Sequence, residues 1–73
     1  MRRYLVIAFY GHLGITHRIT DYSNKNDAYE YIGGLRLCDT PYLAFDTKNK
    51  IIFDIGTTPE YTREKMIEVL DNA

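Results

Sequence analysis

Residues 3–10 form an unbroken β-type run, and from Tyr4 onward both of its alternating faces carry apolar side chains. Leu5, Ile7 and Phe9 fall on one side; Tyr4, Val6, Ala8 and Tyr10 fall on the other. A strand of this kind belongs in the middle of a sheet, with material packed against both faces. The chain has 73 residues with which to do that. At this size about 60% of the unfolded surface is buried on folding, which supports one small core and leaves no room for a deep enclosed pocket. A single compact domain over 1–73 is expected.

Gly11 and Gly14 bracket a short connection that makes a hairpin the natural continuation. Ile15 to Tyr22 alternates, with Ile15, His17, Ile19 and Asp21 set against Thr16, Arg18, Thr20 and Tyr22, and its β-branched content predicts a second strand. The polar stretch Ser23-Asn24-Lys25-Asn26-Asp27 is rich in helix N-cap residues. Ala28, Tyr31, Ile32 and Leu35 then recur at helical spacing, and Gly33-Gly34 is expected to end that helix. Residues 35–40 carry no clear signal. Pro41 suits a strand start or edge. Tyr42–Asp46 and Lys50–Ile55 read as a hairpin around Thr47-Lys48-Asn49, with Asn49 suited to positive φ. On strict alternation Leu43 and Phe45 share a core face with Ile51, Phe53 and Ile55. Gly56 breaks the strand. Thr57 and Glu60 have capping-box spacing, with Pro59 in the first turn of a helix running to about Asp71. The predicted fold is α+β: a small antiparallel or mixed four-stranded sheet with two helices on one face, in the order β-β-α-β-β-α.

Composition narrows the function. With 45% apolar residues and a net charge of -1, the chain is a folded protein and neither a polyanion binder nor an acidic DNA mimic. One cysteine excludes an intrachain disulfide framework and a four-thiolate zinc site. No apolar run reaches the length of a membrane span. Arg2-Arg3 before an apolar run has the look of a signal peptide, but the run is short and no small-residue cleavage site follows it. A cytoplasmic protein with no membrane association is expected.

Catalytic and metal signatures are missing. His12, His17 and Cys38 are the histidines and the thiol, and no H-x-x-H, C-x-x-C or H-E-x-x-H spacing joins them. Cys38 has no local motif of a catalytic nucleophile and reads as a small hydrophobe. Asp46 and Asp54 flank one hairpin, where they serve solubility at strand ends rather than acid–base chemistry. The glycine pairs lack the phosphate-loop pattern. Neither an enzyme, a metal nor a cofactor is expected.

What remains is a surface. Seven tyrosines and no tryptophan are a high tyrosine load for 73 residues. If helices cover Leu5, Ile7, Phe9, Ile15 and Ile19, the opposite sheet face displays Tyr4, Val6, Ala8, Tyr10, Thr16, Arg18, Thr20 and Tyr22. Tyrosine and arginine are enriched at binding hot spots. This predicts a non-enzymatic protein-binding module, a small inhibitor or adaptor, with Tyr4, Tyr10, Arg18 and Tyr22 as contacts to a partner protein. The same face would also suit a homodimer, or a single-stranded nucleic acid stacking on the rings. Against the nucleic acid stand the balanced charge and the lack of an RNP-like octamer. Compactness, Tyr, Asn and Ile content and the lack of catalytic motifs resemble small phage or mobile-element proteins that bind host factors.

Overall fold

The computed structural model describes residues 2–10, 16–56, 68 and 71. Its elements are β1 (Tyr4–Tyr10), β2 (Thr16–Tyr22), α1 (Lys25–Leu37), β3 (Tyr42–Asp46) and β4 (Ile51–Ile55). The four strands form one antiparallel sheet in the order β2-β1-β3-β4, so β1 is central. The doubly apolar pattern of that strand has its expected outcome: Leu5, Val6, Ile7, Ala8 and Phe9 are all buried. Two cores result. Val6, Ala8, Tyr42 and Ala44 pack with Ala28, Ile32 and Leu35 of α1, while Ile7, Phe9 and Leu43 gather with Phe45 and Ile55 on the opposite face.

The helix therefore lies on the face that the sequence reading left open. Both faces of β1 are apolar, so alternation does not say which one a helix takes. Size does: Ala8, Ala28 and Ala44 meet at the helix–sheet contact, and small side chains let the two backbones approach.

Three further expectations are corrected. Helix α1 does not stop at Gly33-Gly34 but runs to Leu37, because Ile32 and Leu35 on either side of the glycines are both buried. Its end is made by Asp39 at φ 53°, with the N–H of Thr40 donating to Leu35 and that of Asp39 to Arg36. This is the left-handed termination that glycine usually provides. At the other end Asn24 caps the helix, its side chain accepting from the Asn26 N–H at 2.7 Å. In the second hairpin, positive φ falls on Lys50 (56°) rather than Asn49. Strand β4 also breaks alternation: Ala44 faces Asp54 but Phe45 faces Ile52, which leaves Phe53 as the extra residue of a β-bulge. Phe53 and Asp54 consequently both reach the α1 side, and Phe53 leaves the Leu43, Phe45 and Ile55 face assigned to it. The Gly11–Gly14 turn and the second helix fall outside the described residues, except that Glu68 and Asp71 are helical. No helix among the described residues is long and apolar enough to cross a membrane.

Candidate protein interface

The predicted contact residues separate into two groups. Tyr4 is half-buried: its ring meets Phe53 edge-on at 5.8 Å between centroids, and the Arg3 guanidinium lies 4.9 Å above it. Tyr10, Arg18 and Tyr22 instead line the margin where α1 passes over β2. The register of the hairpin sets Tyr10 and Tyr22 at opposite ends, with Arg18 between them on the same face.

Tyr31 joins them. Its hydroxyl shares a 3.1 Å hydrogen bond with that of Tyr10, and its ring lies 6.1 Å from the ring of Tyr22. Burial, and then the bond to Tyr10, pushes the Tyr31 phenol up to about 12, while the nearby Arg18 charge acts weakly the other way. Either hydroxyl of the pair can donate in this bond. Tyr10 remains 38% exposed and Arg18 is exposed, so the patch has a wet rim around a half-buried aromatic centre. Helical spacing placed Tyr31 on the apolar stripe without showing that it bridges two strand tyrosines. The signal was present, since Tyr31 lies three residues from Ala28 and one from Ile32, at the edge of the buried face.

A second polar cluster lies at the far end of α1. The Arg36 Nε donates to the Tyr42 hydroxyl at 2.8 Å and its Nη2 to Asp54 Oδ2 at 2.8 Å, while the Tyr42 hydroxyl donates to the same Asp54 oxygen at 3.1 Å. Arg36 and Tyr42 border an open cleft of about 520 Å³ with Asp39, Thr40, Ile55 and Gly56. Arg36, Tyr42 and Asp54 satisfy one another and tie α1 to β3 and β4.

The other residues weighed for chemistry are dispersed. His17 on β2 lies against the Phe9 ring at 6.0 Å, Cys38 is exposed at the helix end, and His12 falls outside the described residues. Among the described residues no three of His, Cys, Asp and Glu converge as metal ligands. Asp46 is not a strand-end solubility residue: it is buried and bound by Arg3. No family model matches the chain, and neither a curated protein nor a solved structure matches it.

Proposed function

We propose that this chain is a non-enzymatic protein-binding module, an inhibitor or adaptor that docks a partner protein through the margin formed by Tyr10, Arg18, Tyr22 and Tyr31. One observation supports this reading above others: Tyr31 of α1 bridges Tyr10 of β1 and Tyr22 of β2, with Arg18 exposed beside them. Tyrosine combines a rigid apolar ring with a polar tip, and arginine adds a planar charged fork, which together recur where partners bind tightly. Tyr4, half-buried against Phe53, lies opposite Tyr22 at one end of this margin.

The test compares affinity capture by the wild-type chain and by a Tyr10→Ala, Arg18→Glu double variant, from nuclease-treated lysate. One stoichiometric protein retained by the first and lost by the second, with circular dichroism unchanged, is the expected result. A partner held equally by both places docking elsewhere. Nucleic acid recovered only without nuclease, with affinity falling steeply as salt rises, would replace the reading by the nucleic-acid one.

A further inference from the structure

The two edges of the sheet are built differently. Strand β4 has five residues and a bulge at Phe53, whereas β2 runs seven residues against β1 without a register shift. Bulges blunt an edge against pairing with another chain; a regular edge without proline invites it. The outward groups of β2 follow from the ladder. On β1, the Phe9 N–H donates to Pro41 and the Arg3 carbonyl accepts from Thr47, so the odd-numbered residues of that strand spend their backbone bonds toward β3. The even-numbered ones face β2, where Ala8 is opposite Arg18 and Val6 opposite Thr20. By alternation the N–H and C=O groups of His17, Ile19 and Asp21 point away from the sheet.

We infer that β2 pairs antiparallel with β2 of a second copy of this chain, about a two-fold axis at Ile19, giving a continuous eight-stranded sheet. The sequence of the strand is self-complementary in that register. Ile19, 37% exposed, meets Ile19 of the second copy on the axis. His17 lies opposite Asp21 of the second copy, and Asp21 opposite its His17, two imidazole–carboxylate pairs made by one symmetry operation. Arg18 faces Thr20 and Thr16 faces Tyr22, so no like charges meet. A register centred on Asp21 would set two carboxylates against each other, and one centred on His17 would strip Asp21 of its imidazole. Arg2 already holds Asp21, its backbone N–H at 2.8 Å, so the carboxylate is fixed at the edge before a second copy arrives. The pairing does not depend on the partner protein proposed above.

The test is light scattering of the full chain over a wide concentration range, combined with residue-resolved amide exchange. The mass should rise from 8.5 kDa to twice that value. The amides of His17, Ile19 and Asp21 should then exchange at least about tenfold more slowly in the dimer than at monomeric dilution, while those of Arg18 and Thr20 stay protected throughout. Ile19→Lys, which sets two ammonium groups on the axis, should weaken dimerisation by about tenfold or more. Circular dichroism of that variant reports its fold, and if it fails to fold the exchange pattern of the wild-type chain decides. A mass fixed at 8.5 kDa, a dimer in which those three amides remain unprotected, or a folded Ile19→Lys chain that dimerises normally would each overturn the inference.

Discussion

Asp46 accepts two parallel hydrogen bonds from Arg3, 43 residues away in sequence, at 3.0 Å from Nε and 3.0 Å from Nη2. The carboxylate also accepts from the backbone N–H groups of Lys48 and Asn49. It thus closes the β3–β4 turn and clamps it to the start of β1. Arg3, and then the turn amides, hold this carboxyl at about 2, against an ordinary value of 3.8.

A group whose folded pKa is depressed stabilises the fold above its unfolded value, and that contribution is lost as pH falls through the folded one. Stability should therefore decline between about pH 4 and pH 2, where Asp46 takes up a proton. Asp21, also lowered by its hydrogen bond from the Arg2 N–H, adds to the slope with the same sign. Asp46→Asn should lower stability at neutral pH and flatten the acid limb without abolishing it. Urea midpoints at a series of pH values check this; an unchanged acid limb would contradict the clamp.

Gly33 and Gly34 occupy the interior of α1, and a methyl group at either would meet nothing within 4 Å. Glycine there costs conformational entropy without providing a turn. Gly33→Ala and Gly34→Ala should each stabilise by about 0.5–1 kcal/mol. Thermal melts of the two variants are sufficient to check it.

Gly56 is the opposite case. An added Cβ would lie 2.7 Å from two carbons of the Tyr42 ring, and that buried ring is held at its hydroxyl by Arg36 and Asp54. The ring cannot yield without giving up those bonds. Gly56→Ala should destabilise by about 1–3 kcal/mol through overpacking. Pairing it with Tyr42→Leu should recover part of that loss, and a double-mutant cycle measures the recovery.

The bulge reorders the expected costs in the second hairpin. Leu43 is fully buried, and Leu43→Ala should cost about 2–5 kcal/mol. Phe53 is only half-buried, between Tyr4 and Tyr29, so Phe53→Ala should cost about 1–3 kcal/mol. Chemical denaturation of both variants gives the ranking, and a larger loss at Phe53 would place it back in the fully buried face.

Much of this architecture was legible. The central strand follows from its two apolar faces, β2 from its β-branched alternation, and the start of α1 from the cap-rich polar stretch before Ala28. What escaped was decided between elements rather than within them. A local rule ends a helix at Gly33-Gly34, but burying Ile32 and Leu35 outweighs about 1 kcal/mol per glycine. Alternation cannot show a bulge, because the extra residue is defined by the partner strand. The tyrosine margin was half readable: Tyr10, Arg18 and Tyr22 share a face by register, but Tyr31 enters only once α1 is laid across that face. The packing of Tyr4 on Phe53 follows from the bulge, which alternation does not show.

The central place of β1 has a consequence for how the chain acquires its structure during synthesis. Its pairing with β2 is local and needs only the first 22 residues, but its other edge waits for β3. The hydroxyl of Thr47 reaches the carbonyl of Arg3 across 44 residues. Until that stretch leaves the ribosome, Leu5, Ile7 and Phe9 present unpaired backbone and an apolar face together. Strand β1 is thus made well before the strand that encloses it, and the nascent hairpin is the species that a chaperone would be called on to shield.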